Sequence, residues 1–273
     1  MASFRISQRD HFELVDESQH LFGRAVLHCP NDHILAALVT APALIEHAKA
    51  LSDARGIAKE DLQAALGPAR RRAGFAHYRW QAVYNVRIPR AQEILGEERT
   101  VHTAEHLASA VFYLGAPRVE IPPARLFASA PDAARPYAVI HPLASAPDKT
   151  WHAEGFLSAA RFLRETLDLD PVFIAGPGES LDPFREYRTL AGAPLADIKS
   201  LMSGAALFLG NDSGPAHMAA AFGLPSVVIF GASDPAIWHP WRTPSEVIRS
   251  SAGIQSVTDR QVLDALERMR VHA

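Results

Sequence analysis

The second half of the chain alternates short apolar runs with longer amphipathic stretches. Short apolar runs that end at glycine, proline or aspartate are typical of buried strands, whereas the longer stretches show the period of helices. Strands that alternate with helices predict a parallel, doubly wound α/β sheet. The predicted strands are Tyr137–Ile140, Pro171–Ala175, Ala205–Leu209 and Ser226–Phe230, and the predicted helices are Ala153–Leu167, Leu195–Ser203, Pro215–Phe222 and Val257–Val271.

The first half of the chain is less regular. A stretch of small residues and prolines at 128–136 predicts a linker, so residues 1–127 and 137–273 are predicted to form two domains. Within the first domain the pattern predicts a strand at Arg24–Cys29, helices at Ile34–Leu51 and Lys59–Leu66, and a helix from Thr103 to Leu114 that ends at Gly115.

Composition is that of an ordinary globular protein. Of the 273 residues, 48% are hydrophobic and 21% are charged, and the formal net charge is −3. The chain therefore lacks the basic excess that is typical of nucleic-acid-binding proteins. Its single cysteine, Cys29, excludes an intramolecular disulfide and a cluster of thiolate metal ligands. No N-terminal signal pattern and no apolar stretch of about 20 residues is present, so we expect a cytoplasmic protein with at most peripheral contact with the inner membrane.

The most informative segment is the turn that begins at Asp212, between a predicted strand and a predicted helix. Asn211, Asp212 and Ser213 are residue types that cap helices. Gly214 allows close approach of a ligand, and Pro215 suits a first helical turn, which His217 shares. The N–H groups of such a turn, together with the helix dipole, form a site for phosphate. The alternative is an ordinary strand-to-helix turn whose residues only cap the helix.

Three further loops follow predicted strands and open on the edge where open α/β sheets bind their ligands. The loop after the first strand carries Ser145 and Lys149, whose ammonium can reach the ligand side. The loop after the second strand carries Gly176, which permits close approach, and Glu179, which can accept hydrogen bonds from a ribose or base. The alternative for Lys149 is an exposed surface lysine, and the alternative for the loop of Gly176 and Glu179 is a plain turn. The third loop covers residues 231–235. None of these loops has the spacing of metal ligands, so no metal is expected.

The segment that contains the Asp212 turn begins at Gly210 and reads GNDSGPAHMAAAFGLPSVVIFGASDP. It resembles the donor-site signature of glycosyltransferase family 9, the lipopolysaccharide heptosyltransferases and their relatives. The resemblance implies the GT-B fold, in which two Rossmann-like domains face each other across a cleft. It also implies metal-independent transfer with inversion at the anomeric carbon, and no cofactor besides a nucleotide-sugar substrate, with an ADP-sugar favoured as donor.

The same resemblance implies roles for the neighbouring loops. The segment from Ser145 to Lys149 fits one in which the family places a Ser or Thr and a Lys that contacts the donor phosphate or sugar. Glu179 corresponds to an acidic residue that the family places near the nucleoside. Residues 74–118 look like the back of a family 9 first domain.

The N-terminal region departs from the family pattern. Family members begin with a strand, a Gly-Asp pair and a helix that contains Pro-x-Leu, and a carboxylate of this first domain is their general base. Here Asn31 precedes Asp32, and Pro42 follows at a longer spacing. Asp32 is the candidate base, with a helix N-cap as its alternative role. By resemblance, the first domain is divergent and shortened.

Two functions follow. The first is an inverting glycosyltransferase that moves a sugar, such as a heptose, from a nucleotide-sugar to a lipid-linked or saccharide acceptor of the lipopolysaccharide type. The second is a nucleotide-binding module that keeps the donor half without catalysis. A carboxylate of the N-terminal domain facing the Asp212 turn would favour the first. A dinucleotide-dependent oxidoreductase or epimerase is disfavoured, because no G-x-G-x-x-G follows a strand with an acidic residue about 20 positions further on.

Overall fold

A computed structural model of the chain describes residues 72–77 and 84–269, together with two N-terminal strands. These strands, β1 (Ala2–Ile6) and β2 (Phe12–Asp16), pair antiparallel. The strand and helices predicted between residues 24 and 66, and Asp32 with them, lie outside the described residues. The chain divides into two compact units, one joining Met1–Arg99 and His106–Arg118, the other joining Thr100–Glu105 and Val119–Ala273.

The described part of the first unit is a small parallel strand pair with helical segments. Its elements are β3 (Ala73–Phe75), β4 (Val86–Ile88), α1 (Ala91–Leu95) and α2 (Thr103–Tyr113), the first turn of which belongs to the second unit. Phe75, Ile88 and Ile94 form its buried cluster. Gly115 has a φ of 109°, in the left-handed region, so the predicted helix stop is confirmed.

The second unit is a doubly wound α/β domain. Its strands are β5 (Tyr137–His141), β6 (Asp170–Ala175), β7 (Arg188–Ala191), β8 (Leu207–Asn211), β9 (Ser226–Phe230) and β10 (Ser245–Arg249). Its α-helices are α3 (Ala153–Glu165), α4 (Leu195–Ser203), α5 (Gly214–Ala221), α6 (Pro235–Trp238) and α7 (Asp259–Met269). The strands run parallel in the order β10-β9-β8-β5-β6-β7, which confirms the predicted sheet.

Helices cover both faces of this sheet, which explains why its central strands read as continuous apolar runs. On one face Ile140 belongs to a cluster with Phe156 of α3 and Leu266 of α7. On the other face Val139 belongs to a cluster with Ala219 of α5. Every residue of β5, β8 and β9 is buried. The site is therefore built on the most deeply packed part of the domain.

The sequence pattern does not predict the two edge strands. β7 reads RTLA and is largely exposed, and β10 reads SEVIR with only Ile248 buried, so neither shows the apolar run that marks the central strands. β8 begins two residues later than predicted, at Leu207. The preceding Ala206 donates its N–H to the carbonyl of Tyr137 at 2.9 Å, and Leu207 lies opposite Ala138.

Gly231, which follows β9, lies against the backbone of the loop after β5. That loop contains the 3₁₀ turn Pro147–Lys149. A Cβ atom on Gly231 would lie 1.9 Å from the carbonyl oxygen of Asp148 and 2.9 Å from the Cα of Lys149. The N–H of Ala232 also lies 3.3 Å from the Asp148 oxygen and donates to it. Only glycine permits this approach, because both sides of the contact are backbone.

We expect Gly231→Ala to destabilise the protein by about 1–3 kcal/mol, because two backbone segments must separate to admit one methyl group. Urea denaturation measures the change in the free energy of unfolding. Ala232→Ser at the neighbouring exposed position is the matched control and should stay within about 0.5 kcal/mol of the wild type. Equal stability of Gly231→Ala and the wild type would show that this contact is not tight.

Candidate functional site

The candidate site lies at the point where the strand order reverses. β5 and β8 are neighbours in the sheet, and the chain builds outwards from them in opposite directions. Open α/β sheets bind ligands in the crevice outside the carboxyl ends of such a strand pair. The loops after β5, β6, β8 and β9 all leave from this end, because the strands are parallel. The four loops predicted from the sequence therefore open on one edge.

The side chain of Asn211, the last residue of β8, anchors the loop after β5. Asn211 is fully buried. Its Oδ1 accepts a hydrogen bond from the N–H of Trp151 at 3.1 Å, and its Nδ2 donates to the carbonyl of Pro142 at 2.9 Å. Both ends of the loop that contains Ser145 and Lys149 are thus tied to the end of β8. The sequence indicates Asn211 only as a capping residue type, whereas the structure gives it this cross-strand role.

Lys149 lies at the end of the 3₁₀ turn, beside Gly231, with its side chain partly buried. Within the described part of the chain, its ammonium has no ion pair or hydrogen bond. Ser145 lies in the same loop and is exposed. The loop ends before α3, where the ring of His152 accepts the N–H of Gly155 at 2.9 Å as the helix cap. Lys149 is therefore a cation at this end of the sheet that has no charged partner among the described residues.

The loop after β6 is closed by its own acidic side chain. Oε2 of Glu179 accepts the N–H of Gly176 at 2.6 Å, and the N–H of Glu179 donates to the carbonyl of Gly176 at 3.3 Å. Gly178 completes the turn with a φ of 80°. Glu179 is exposed. Because Oε2 already holds its own loop, Oε1 is the oxygen that remains for a ligand.

The turn between β8 and α5 has a different hydrogen-bond pattern from the predicted one. Ser213 occupies the N-cap position, but its side chain makes no capping bond to α5. Its Oγ instead donates to the carbonyl of Asn211 at 3.1 Å. The expected side-chain cap at this residue is therefore wrong, while Gly214 and Pro215 open the helix as predicted. The first turn of α5 keeps its positive dipole end without a serine oxygen bound to it.

Asp212 connects the loops after β8 and β9. Its Oδ2 accepts a hydrogen bond from the hydroxyl of Ser233. Ser233 is buried, whereas Asp212 is half-buried. Ser233 is not among the residues selected from the sequence, although it lies within the 231–235 loop and a hydroxyl after a predicted strand is a usable signal. The pair fixes the orientation of the Asp212 carboxylate at the sheet edge.

His141, the last residue of β5, is a second residue that sequence reasoning misses. Its Nδ1 lies 3.0 Å from Oγ of Ser213, and its side chain is buried. Since the one hydroxyl hydrogen of Ser213 is given to Asn211, the ring is the donor in this contact. Burial lowers the pKa of His141 to about 4, against an opposing effect of Glu179. The imidazole is therefore neutral at pH 7, with its proton on Nδ1.

His217 lies in the first turn of α5, as predicted. Its ring faces that of Trp238 in α6, with the ring centroids 6.4 Å apart and the planes inclined by 60°. The turn after β8 and the helix after β9 therefore meet at this edge through two aromatic rings.

Residues 72–77 and 84–269 contain no cluster of three or more histidine, cysteine, aspartate or glutamate side chains that can hold a metal ion. In the same part of the chain, no helix has the length and apolar character needed to cross a bilayer.

A doubly wound sheet with polar loops at its switch point is the architecture of nucleotide-binding α/β domains. The chain belongs to glycosyltransferase family 9 (heptosyltransferase), because the model of that family matches residues 71–267, more than half of the sequence. The predicted resemblance is thereby confirmed.

Two curated relatives are similar over part of their length. The chain is 33% identical over 118 residues to lipopolysaccharide heptosyltransferase 3 of Escherichia coli, covering 38% of this chain and 34% of the relative. It is 29% identical over 140 residues to the protein of that name from Escherichia coli strain K12, covering 47% and 40%. The chain thus spans about a third to two fifths of the length of these relatives.

Solved structures are similar in fold. The glycosyltransferase family 9 protein of Veillonella parvula DSM 2008 has a TM-score of 0.65 at 17% identity, covering 84% of this chain and 78% of that one. ADP-heptose lipopolysaccharide heptosyltransferase II of E. coli has a TM-score of 0.57 at 20% identity, covering 78% and 73%. The E. coli heptosyltransferase WaaC with ADP has a TM-score of 0.59 at 16% identity, covering 84% and 79%. The predicted GT-B-like α/β fold is confirmed.

Acid should destabilise the protein through His141. The ring has its ordinary pKa of 6.5 in the unfolded chain and a pKa of about 4 in the folded one. As the pH falls from 6.5 to 4, the unfolded state binds the proton first, which lowers the free energy of unfolding by about 3 kcal/mol at pH 4. This stability is fully present above pH 6.5.

Urea denaturation at pH 7 and pH 4.5 measures the effect for the wild type and for His141→Gln, which lacks the titrating ring. The variant should lose about 2–3 kcal/mol less than the wild type between these two pH values. Every other titrating group is common to both proteins, so its contribution cancels. Equal losses would contradict a neutral, buried His141.

Proposed function

We propose that this protein is a glycosyltransferase that transfers a sugar from a nucleotide-sugar to a lipopolysaccharide-type acceptor. Family 9 membership and the two relatives named lipopolysaccharide heptosyltransferase 3 support sugar transfer in lipopolysaccharide synthesis. The observation that carries the proposal is the sheet edge itself, where the start of α5, Lys149 and the Asp212–Ser233 pair lie together. Heptose is the proposed sugar and an ADP-sugar the proposed donor, since the names of similar structures include ADP and ADP-heptose.

The proposed reaction needs a stabilised leaving group. The bond between the anomeric carbon and the diphosphate oxygen breaks, and the nucleoside diphosphate leaves with the bonding electrons. We assign the stabilisation of this charge to the ammonium of Lys149 and to the positive end of the α5 dipole. In this proposal these groups act in place of a metal ion. Ser145, Gly214 and His217 are the proposed neighbours of the diphosphate and sugar.

The nucleoside is proposed to lie over the loop after β6, on the side of the switch point away from β9. Gly176 permits close approach there, and the exposed carboxylate of Glu179 can accept a ribose hydroxyl through Oε1. Asp212 and Pro215 shape the turn between the two halves of the donor site.

Inversion is the proposed stereochemical outcome. The acceptor hydroxyl attacks the anomeric carbon from the face opposite the diphosphate, and its proton passes to a carboxylate. Asp32 is the proposed base on the strength of the family pattern, and it lies outside the described residues. The acceptor is a saccharide or a lipid-linked saccharide, the latter reached by peripheral contact with the membrane.

Lys149→Ala should weaken binding of ADP by about 1.5–3 kcal/mol, the size of a charged hydrogen bond, and should leave binding of adenosine nearly unchanged. Isothermal titration calorimetry measures both affinities. Lys199→Ala in α4 removes a lysine of the same domain and is the matched control. An equal loss for ADP and adenosine would place Lys149 away from the diphosphate.

Asp32→Asn tests the proposed base. If Asp32 takes the acceptor proton, the variant should bind ADP as the wild type does while turnover falls at least about a hundredfold. If Asp32 is only a helix cap, activity should survive, because asparagine caps as well as aspartate does. Asp264→Asn on the exposed side of α7 is the control. Donor binding by the wild type without turnover of any nucleotide-sugar would instead favour the non-catalytic module.

A further inference from the structure

Trp238 is a large apolar side chain that the fold leaves partly exposed. It ends α6, the single helical turn that follows β9, and its side chain is 42% exposed. An exposed tryptophan beside a polar ligand edge is informative because its ring has both an apolar face and a polar N–H.

The helix that carries Trp238 is held rigidly at its start. Oδ1 of Asp234 accepts the N–H of Ala236 at 3.0 Å, which caps the turn. At its end, the N–H of His239 donates to the carbonyl of Pro235 at 3.0 Å. A turn of four residues is therefore closed at both ends by hydrogen bonds.

His102 fixes the chain directly after Trp238. Its Nδ1 accepts the N–H of Ala104 at 3.0 Å, so its Nε2–H donates to the carbonyl of His239 at 2.8 Å. The His102 ring also stacks on Trp241, with the centroids 4.6 Å apart. Burial lowers the pKa of His102, which keeps the ring in the neutral form that this pair of contacts requires. The backbone on both sides of Trp238 is thus held by hydrogen bonds, which lowers the conformational entropy that is lost when a ligand packs on the ring.

Trp238 and Glu179 lie on opposite sides of the switch point. In the sheet, β9 flanks β8 on one side and β6 flanks β5 on the other. Glu179 belongs to the loop after β6, while Trp238 follows β9 and faces His217 of α5. A nucleotide-sugar has its nucleoside on one side of the diphosphate and its sugar on the other. With the nucleoside over Glu179, the sugar must extend towards β9.

We propose that Trp238 forms the wall on which the transferred sugar packs and is a specificity-determining residue for that sugar. The inference rests on the proposed function. The C–H groups on one face of a pyranose ring would pack against the indole of Trp238. The centroid of the His217 ring lies 6.4 Å from that of the indole, so its imidazole would offer a polar partner for a sugar hydroxyl.

The test separates the sugar from the nucleotide. Calorimetry gives the dissociation constants of ADP and of ADP-heptose for the wild type, Trp238→Ala and Trp238→Phe. Trp238→Ala should bind ADP as the wild type does and should bind ADP-heptose about three- to tenfold more weakly, the range expected for loss of one aromatic contact. Trp238→Phe should recover most of that loss. Phe127→Ala removes an aromatic side chain that is 79% exposed elsewhere in the unit, and it should change neither constant.

The ratio of the two dissociation constants decides the inference. An unchanged ratio in Trp238→Ala overturns it, whether both ligands are weakened equally or neither is. If the wild type binds ADP but the ratio is unchanged in Trp238→Ala, the proposed donor site is retained and only the role of Trp238 is rejected. A wild type that binds neither ligand overturns the proposed function, and the sugar wall with it. Melting temperatures equal to that of the wild type confirm that the variants are folded.

Discussion

The buried amide of Asn211 donates to one end of the loop after β5 and accepts from the other. Burial of an amide is unfavourable unless its hydrogen bonds are made, and these two bonds satisfy one donor and one acceptor. Removal of the loop from the strand end would leave the amide, the N–H of Trp151 and the carbonyl of Pro142 without partners. Asn211 therefore holds both ends of the loop that carries Lys149, together with the backbone contact between Gly231 and Asp148.

The charge at the candidate site depends on which side chains are neutral as well as on which are charged. His141 is buried between the strand end and Ser213, where a proton on both nitrogens is disfavoured, so the centre of the edge carries a neutral ring at pH 7. Lys149 brings the positive charge, and in the described part of the chain no carboxylate neutralises it. Asp212, the nearest acidic residue in sequence to the helix start, is engaged by Ser233. In the proposed site, an anionic ligand would therefore meet a cation and a helix dipole without first displacing an ion pair of the described residues.

The sequence predicts those features of the fold that are set by burial. β5, β8 and β9 are covered on both faces, so their apolar runs are unambiguous, whereas the exposed edge strands β7 and β10 carry no such signal. That four loops share one edge follows from parallel topology alone. Individual side-chain contacts do not follow, because Ser213 can cap a helix or bind a strand end, and local sequence does not decide between them. The pairing of Asp212 with Ser233 joins residues that only the folded sheet brings together.

The contact of Gly231 with the Asp148 carbonyl joins main chain to main chain. Because this contact involves no side chain, the side chains of neighbouring residues can differ without changing the distance between the two loops. At this one contact the loop geometry is set by the backbone and is independent of the side chains that project from the two loops. Under the proposed function, a point substitution of a projecting side chain would change ligand preference without rearranging the two loops.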